Sequence, residues 1–307
     1  MNLAPVVIFA YNRPLHLQKT IEALKKNSLS SDSDLFIFCD GNKNENDKNL
    51  VEQVKNFVKQ ITGFKSITIF EREKNFGLSK SIIDGVTKIV NIYGKVIVLE
   101  DDLISSPYYL KFINDALDLY EYDEEVISVQ GYVYPVKEGL PECFFIQGAD
   151  CQGWATWKRG WNLFEEDGKK LLKKLQSKRL IKDFNFNNSY SYDKMLKQQI
   201  KGRISSWAIR WYASAYLENK YTLYPGKTLI YNIGFGTSGT NTQNKYLSEK
   251  FNSEINILPI NLTRITIENS KNGRRSFELF FKRNQYWRNP RMLLYKIYKI
   301  LIKSFIK

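Results

Sequence analysis

A run of apolar residues that ends in three consecutive carboxylates limits the possible folds more than any other feature of this sequence. Val96-Ile97-Val98-Leu99 is typical of a strand buried on both faces of a parallel sheet, and Glu100-Asp101-Asp102 follows it directly. Ligands of open α/β sheets bind just beyond the carboxyl ends of strands. Adjacent carboxylates repel one another unless a cation lies among them, and hard oxygen ligands suit Mg²⁺ or Mn²⁺. The segment therefore predicts either a metal site or a solvated acidic turn.

Strand-like and helix-like segments alternate four times around this run. Such alternation predicts an α/β fold with right-handed βαβ units and a mainly parallel sheet flanked by helices. The expected strands are Val6–Ala10, Asp34–Asp40, Lys65–Phe70 and Val96–Leu99. The expected helices are Leu15–Asn27, Leu50–Thr62, a third that ends at Ile92, and Pro107–Tyr120 with Ser105 or Ser106 as its N-cap.

Polar residues lie at or just beyond the ends of these four strands. Arg13, Asp40 and Asn75 belong to the first three, and Glu100–Asp102 follows the fourth. Because parallel strands end at one edge of a sheet, we expect a nucleotide site there. The chain has no G-x-G-x-x-G after its first strand and no G-x-x-x-x-G-K-[ST], so the usual phosphate-binding loops are excluded. A bound pyrophosphate would need a metal ion to neutralise it, with Arg13 as a bidentate partner.

Charge and cysteine content limit the partners and the compartment. The formal net charge is +14, but residues 271–307 hold eleven Lys or Arg against the single Glu278, so the basic character belongs to the tail. No nucleic-acid motif accompanies it, and we expect no nucleic-acid partner. Three cysteines without C-x-x-C spacing favour a reduced, cytoplasmic compartment. We expect no signal peptide, because no basic segment precedes the apolar residues 5–10, and no membrane span, because no run of about 18 apolar residues occurs.

Five segments, taken in order, resemble one enzyme family. They are residues 7–14, 38–41, 75–79, 98–102 and the pair Gly153-Trp154. The set is similar to the nucleotide-diphosphosugar glycosyltransferases of the GT-A (Rossmann-like) fold, in particular to bacterial surface-polysaccharide sugar transferases of family 2. It also resembles N-acetylglucosaminyltransferase I, which likewise carries Glu-Asp-Asp in place of Asp-x-Asp. The resemblance covers about residues 4–240.

The resemblance implies roles for the residues at the sheet edge. Arg13 and Asp40 would hold the nucleoside, with Asp40 facing the uracil or its equivalent. Asn75 and Lys80 would lie near the phosphates or the ribose of the donor. Each residue also has a plainer explanation: Arg13 as a surface charge, Asp40 as a strand-end cap and Asn75 as a turn former.

The acidic run would bind the metal and the sugar. The resemblance implies that Asp102 binds Mn²⁺ or Mg²⁺ directly, and that Asp101 contacts the ribose, the metal or a metal-bound water. Glu100 would orient the donor sugar through its hydroxyl groups.

Three tryptophans follow Gly153 within eight residues. Gly153 and Trp154 match the Gly-Trp motif of the family and would line the donor-sugar or acceptor site. Trp154, Trp157 and Trp161 also share one face of an ideal helix, which favours a helix packed on the core as the alternative. We expect Trp157 and Trp161 to be mainly core residues.

The general base of an inverting transfer is harder to predict. In the resembled enzyme it lies beside a tryptophan at a helix start, but the corresponding Trp207-Ala208-Ile209 has no carboxylate. Asp193 is the first candidate and Asp150 is the second. The sole histidine, His16, is expected at the surface, so histidine-based nucleophilic catalysis is not expected.

Two further segments complete the second half. Residues 206–213 predict the start of an amphipathic helix that ends at Tyr224-Pro225. Residues 232–240 form a glycine-rich loop, which either closes over a donor or is an ordinary surface loop.

The C-terminal residues 293–307 place lysines at spacings of three, four and four on an otherwise apolar segment. This pattern favours a helix that lies in a membrane interface and is attracted by anionic lipid, over a terminal helix docked on the core. We therefore expect a GT-A domain over residues 1–255 and a basic extension over 256–307, which binds the inner face of the plasma membrane through 285–307.

Two functions are consistent with these features. The first is a metal-dependent, inverting hexosyl- or N-acetylhexosaminyltransferase. It would move a sugar from a nucleotide-diphosphosugar, such as a UDP-sugar, to a glycan or lipid-linked acceptor of a capsule or lipopolysaccharide. The second is a non-catalytic, membrane-associated binding protein on a degenerate GT-A scaffold.

Overall fold

A computed structural model describes residues 3–234 and 250–284 of the chain. Ten strands lie within these ranges: β1 Val6–Ala10, β2 Asp34–Cys39, β3 Ser66–Glu71, β4 Lys95–Glu100, β5 Leu103–Ser105, β6 Val126–Gln130, β7 Cys143–Gln147, β8 Trp154–Trp157, β9 Tyr221–Pro225 and β10 Ile230–Asn232. Eight of them form one sheet in the order β3-β2-β1-β4-β8-β6-β9-β7, and β5 pairs with β10 in a small antiparallel ribbon.

The helices of the described residues lie on both faces of this sheet. They are α1 Pro14–Lys25, α2 Glu45–Val58, α3 Leu78–Tyr93, α4 Tyr109–Leu119, α5 Lys158–Trp161, α6 Gly168–Ser177, α7 Ile181–Phe184, α8 Tyr192–Ile200, α9 Ala208–Leu217 and α10 Lys271–Asn284. Side chains of α1, α2 and α4 form one apolar cluster with the sheet. Side chains of α3 and α9 form a second on the opposite face, and α6, α8, α9 and α10 form a third.

The strand directions bring the polar residues to one edge. β1 pairs in parallel with β2 and with β4, and β2 pairs in parallel with β3. β8 runs antiparallel between β4 and β6, so β6 points the same way as β4. Every residue of β1 is buried, as the uninterrupted apolar run predicts for a central parallel strand. The predicted α/β fold with a mainly parallel sheet is confirmed.

Three predicted elements differ from the structure. Residues 154–157 form strand β8, not a helix, because Trp154 pairs with Val98 of β4 and Gln130 of β6. Helix α9 ends at Leu217 and is followed by β9 at 221–225, since Asn219 adopts a positive φ that interrupts the helix. Helix α2 begins at Glu45, because the Asn44 side chain accepts a hydrogen bond from the backbone of Asn46 and caps it.

Residues 256–284 pack onto the same body. Ser270 donates its backbone N–H to Phe145 of β7 at 2.9 Å, and Asn256 donates to the Thr228 carbonyl at 2.9 Å. Phe277 and Phe281 of α10 are buried in the third apolar cluster. The domain boundary at 255 stays a prediction, and the predicted membrane helix at 285–307 lies outside the described residues. Within the described ranges, no helix has the length and apolar content needed to cross a membrane.

Candidate active site

The carboxyl ends of β1, β2 and β4 form the edge at which the predicted site residues meet. Arg13 directly precedes α1, Asp40 follows β2, and Glu100 is the last residue of β4. The register is tight at this point, because Phe9 of β1 pairs with Glu100, and the Asp40 backbone donates to the Ala10 carbonyl at 2.9 Å. The sheet geometry therefore brings residues that are 87 positions apart in sequence into one cluster (Arg13 to Glu100).

Asp40 joins the loops that follow β2 and β3. Its Oδ1 accepts the backbone N–H of Phe76 and its Oδ2 accepts that of Gly77, each at 2.8 Å. Asn75 donates its amide N–H to the Gly41 carbonyl at 2.8 Å. These N–H groups belong to the start of α3, where the helix dipole favours a negative charge. The Asp40 side chain thus joins the loops that follow β2 and β3.

Arg13 forms the main electrostatic contact of the site. Its Nη1 donates to Asp102 Oδ2 at 2.9 Å, and its Nη2 forms a short ion pair with Asp101 Oδ1. The Arg13 side chain is 18% exposed, and those of Asp101 and Asp102 are 3% and 11% exposed. In this largely desolvated position the contacts are charge-assisted hydrogen bonds, which are stronger than those between neutral groups. Arg13 is therefore not a free surface charge.

One guanidinium does not balance three carboxylates. Within the described part of the chain, the Glu100 carboxylate has no hydrogen bond or ion pair. Burial, followed by repulsion from Asp102, raises the pKa of Glu100 to about 8. Burial also raises the pKa of Asp101 to about 6, although Arg13 opposes this shift. Charge, burial and hard oxygen donors all fit a further cation at this position.

The described residues do not form a complete set of protein ligands for a metal ion. Across residues 3–234 and 250–284, no three or more His, Cys, Asp or Glu side chains form a group that could hold a metal ion. Asp101 and Asp102 are the carboxylates that Arg13 already contacts. A divalent ion here would therefore depend on oxygen ligands from a bound substrate or water in addition to these side chains.

Two neighbours of Asp102 were not predicted from the sequence. A Cβ atom built on Gly234 would lie 1.9 Å from Asp102 Oδ2, so only glycine fits beside this carboxylate. His16 makes a hydrogen bond to the backbone of Ile233 and lies close to Arg13, and burial followed by Arg13 lowers its pKa. The partly buried His16 thus supports the segment that covers Asp102, and it is not the plain surface residue that we expected.

A cluster of two cations and an aromatic ring lies between the end of β3 and the first turn of α3. The Phe76 ring is 38% exposed, and the Arg72 guanidinium and Lys80 Nζ lie 4.2 and 4.4 Å from its centroid. Arg72 also donates to Ser81 Oγ at 2.5 Å and to Asp84 at 2.6 Å. Lys80 therefore lies at the predicted edge, in contact with an exposed ring. Arg72 and Phe76 were missed, because an arginine after a strand carries no signal of its own.

Gly153 lies at the edge of the sheet, whereas the ring of Trp154 lies in the core. The Gly153 carbonyl accepts the Gly131 N–H at 2.7 Å at the end of β6, and Gly153 has a φ of +62° that favours glycine. The Trp154 ring is 1% exposed and stacks on Trp207 at 5.4 Å. Trp157 and Trp161 are buried, as expected. The Trp154 ring packs in the core and offers no exposed face for a sugar, so the backbone of this pair is the part that lies at the edge.

Asp150 lies among tyrosines on the loop between β7 and β8. Its Oδ2 accepts hydrogen bonds from Tyr134 at 3.1 Å and Tyr224 at 3.4 Å, and its Oδ1 accepts the Cys151 N–H at 2.8 Å. Burial raises the pKa of Asp150, against these hydrogen bonds, which lower it. Burial, followed by the carboxylates of Asp150 and Glu100, raises the pKa of the Cys151 thiol. Asp150 is thus a buried carboxylate of raised pKa on the loop that precedes β8.

Asp193 has a different environment. Its Oδ1 accepts a hydrogen bond from the Asn185 amide and its Oδ2 forms an ion pair with Lys197, each at 2.8 Å. Burial raises the pKa of Asp193, but these contacts outweigh burial and lower it overall. At the first turn of α8 the carboxylate also stabilises the helix N-terminus. Both oxygens therefore make contacts that hold α8 in place.

The amino-acid sequence of the first half matches a known family. Residues 6–142 match the model of glycosyl transferase family 2. The match covers fewer than half of the 307 residues, and it contains Arg13, Asp40 and Glu100–Asp102. This part of the chain is thus similar to glycosyl transferase family 2. No curated protein matches the chain significantly.

Several solved structures are similar to parts of this chain. S. aureus TarS 1-349 is 12% identical with a TM-score of 0.42, and the alignment covers 76% of this chain and 61% of that one. The chain thus spans less than two-thirds of that neighbour. TarS 1-349 in complex with UDP-GlcNAc is 14% identical, with a TM-score of 0.30 over 45% of this chain and 37% of that one. A protein described as a nucleotide-diphospho-sugar transferase from Desulfovibrio desulfuricans G20 is 12% identical, with a TM-score of 0.35 over 58% and 78% of the two chains.

Proposed function

We propose that this protein transfers a sugar from a nucleotide-diphosphosugar to a glycan or lipid-linked acceptor, with inversion at the anomeric carbon. The observation that carries the proposal is the cluster of Arg13, Asp40 and Glu100–Asp102 at one sheet edge, within the segment that matches the glycosyltransferase family. A UDP-sugar, with a hexose or an N-acetylhexosamine, is the donor class to test first.

The donor diphosphate would bind at the excess negative charge through Mn²⁺ or Mg²⁺, with Asp102 and Asp101 as protein ligands. The bound ion would supply charge neutralisation for the departing nucleoside diphosphate. Arg13 would contact the diphosphate or the nucleoside, since its guanidinium has the geometry for bidentate phosphate binding. Asp40 and Asn75 fix the loops around the nucleoside. Glu100, which has no partner among the described residues, would accept hydrogen bonds from donor-sugar hydroxyls.

Asp150 is the residue that we propose as general base, ahead of Asp193. The acceptor hydroxyl oxygen forms a bond to the anomeric carbon while the bond from that carbon to the diphosphate oxygen breaks. The acceptor proton passes to Asp150, and the electron pair of the broken bond leaves with the diphosphate. The raised pKa of Asp150 makes its carboxylate a stronger base than an exposed aspartate. Lys197 and Asn185 lower the basicity of Asp193.

A place at the inner face of the plasma membrane, in capsule or lipopolysaccharide synthesis, would follow if residues 285–307 bind anionic lipid. A lipid-linked acceptor would then be presented to the sheet edge from the membrane. The basic residues of the tail support this part of the proposal.

Release of nucleoside diphosphate from a panel of UDP- and other nucleotide-sugars, with and without Mn²⁺, tests the function. The full chain is compared with Asp102→Asn and with Asp123→Asn, a control that alters a carboxylate paired with the exposed Arg264. We expect Mn²⁺-dependent turnover that Asp102→Asn abolishes and Asp123→Asn retains. Absence of turnover in the unaltered chain with every donor would instead favour a non-catalytic binding protein on a degenerate GT-A scaffold.

A further inference from the structure

A cavity of about 600 Å³ opens at the same sheet edge, on the side of β6 away from the nucleotide residues. We call it the edge cavity, and it is lined by residues of three segments: 133–142, 226–228 and 253–258. The first segment leaves the carboxyl end of β6, and the second leaves that of β9. Because β6 and β9 run parallel to β4, the edge cavity and Glu100–Asp102 lie along one edge.

One side chain connects the edge cavity to the proposed base. Tyr134 lines the cavity, and its hydroxyl donates to Asp150 Oδ2 at 3.1 Å. The Tyr134 ring is held between Phe277 and Phe281 of α10, with centroid separations of 4.9 and 5.0 Å. A ligand in the edge cavity that contacts Tyr134 would therefore lie within one side chain of Asp150.

The lining combines apolar surface with hydrogen-bond acceptors. Pro135 and Pro141 supply rigid apolar faces. Glu138 Oε1 accepts a hydrogen bond from Arg283 at 2.6 Å, and the Glu138 side chain is 30% exposed. A hydroxyl or amine of a ligand would donate a hydrogen bond to this carboxylate.

The charge of the edge cavity is negative. Glu138, Glu142 and Glu254 line it against two cations, Lys227 of the lining and Arg283, which pairs with Glu138. The ion pair with Arg283 lowers the pKa of Glu138, so this carboxylate stays ionised at neutral pH. A phosphate or carboxylate group would meet like charges at short range in a partly desolvated space. Hydroxyl and ammonium groups would instead find acceptors.

We propose that the edge cavity is the acceptor site, and that it takes a glycan segment that is uncharged or carries amines and not one that carries phosphate or carboxylate groups. The sugar rings pack on the prolines and Tyr134, their hydroxyl groups donate to the glutamates, and the reacting hydroxyl points toward Asp150. The role as acceptor site rests on the proposed function, whereas the binding of a glycan to the edge cavity can be tested without it.

Direct binding of three tetrasaccharides of equal length to the full chain tests the site: chitotetraose (uncharged), glucosamine tetramer (cationic) and a hyaluronan tetrasaccharide (anionic). Gly139 lines the cavity, and a Cβ atom there meets nothing within 4 Å, so Gly139→Trp places a large side chain at the cavity without a clash at Cβ. Gly139→Ala is the matched control, because it adds only one methyl group. Thermal unfolding checks that both variants fold, and UDP binding is measured in parallel.

We expect the uncharged and cationic probes to bind at least about tenfold more tightly than the anionic probe, since each like-charge contact opposes binding. Gly139→Trp should weaken the two preferred probes by about tenfold or more, and Gly139→Ala should not. Equal affinity in a folded Gly139→Trp protein, or tighter binding of the anionic probe, would overturn the assignment. If the unaltered chain bound the glycan probes but not UDP, the proposed function would be contradicted, and the edge cavity would still be a glycan site.

Discussion

Replacing Arg13 by Gln removes the only described cation in contact with the carboxylate cluster, and it should destabilise the fold strongly. Removing one partner of a buried ion pair typically costs about 3–5 kcal/mol, because the other charge stays buried without compensation. Arg13 is 18% exposed and contacts two carboxylates that are nearly buried. We therefore expect a loss of about 3 kcal/mol in the free energy of unfolding at pH 8, which corresponds to a fall in Tm of roughly 6 °C.

The stability deficit of Arg13→Gln should depend on pH. Where a carboxyl has a higher pKa in the folded than in the unfolded state, the folded state binds more protons between the two values, so stability falls as pH rises through that window. Glu100, with its pKa raised to about 8, already behaves in this way, and loss of Arg13 raises the pKa of Asp101 further. The deficit of Arg13→Gln should therefore shrink as the pH falls from 8 toward 5.

Thermal unfolding of three proteins between pH 5 and pH 8 measures both effects. Arg264→Gln is the matched control, since Arg264 is 56% exposed and forms an ion pair with Asp123. Exposed pairs contribute less than about 1 kcal/mol. If Arg13→Gln lost no more stability than Arg264→Gln at pH 8, or if its deficit did not change with pH, the electrostatic description of the cluster would be wrong.

Three further substitutions test individual residues. Asp193→Asn should retain turnover and lose about 1 kcal/mol in the free energy of unfolding, because it removes the ion pair with Lys197. Since the folded-state pKa of Asp193 is lowered, this contribution is present above the unfolded-state pKa and disappears as the pH falls below about 4. Acid unfolding of both proteins measures the difference. Asp150→Asn should reduce turnover by at least about a hundredfold with nucleotide binding unchanged, as steady-state kinetics would measure, and near-normal turnover would remove Asp150 as the base. Gly234→Ala should weaken UDP binding in Mn²⁺ by about tenfold, because its methyl group displaces Asp102, and calorimetry giving an unchanged Kd would contradict this contact.

The first half of the fold could be predicted because its signals are local. Uninterrupted apolar runs such as Val6–Ala10 identify central strands, and parallel strands leave their polar ends on one edge. The meeting of Arg13, Asp40 and Glu100–Asp102 follows from that rule alone. Their partners do not follow: the sequence could not reveal that Asp40 accepts the N–H groups of Phe76 and Gly77, or that Arg13 contacts two carboxylates.

The second half was predicted less well, because tertiary contacts decide it. The spacing of Trp154, Trp157 and Trp161 fits a helix, but pairing with β4 and β6 makes residues 154–157 a strand. Asp193 has the residue type of a general base, and only the positions of Asn185 and Lys197 reveal that its pKa is lowered. The site residues on this side therefore remain proposals that rest on the structure.

Titration of Mn²⁺ with the full chain, in the presence and absence of UDP and followed by the loss of the free-ion electron paramagnetic resonance signal, tests the central proposal most directly. We predict weak Mn²⁺ binding by the protein alone, because Arg13 occupies Asp101 and Asp102, and binding at least about tenfold tighter with UDP present. Asp102→Asn should abolish that increase, whereas Asp123→Asn should retain it. If UDP binds equally well without Mn²⁺, or if Asp102→Asn leaves the coupling intact, then the carboxylates at the end of β4 do not hold the cation.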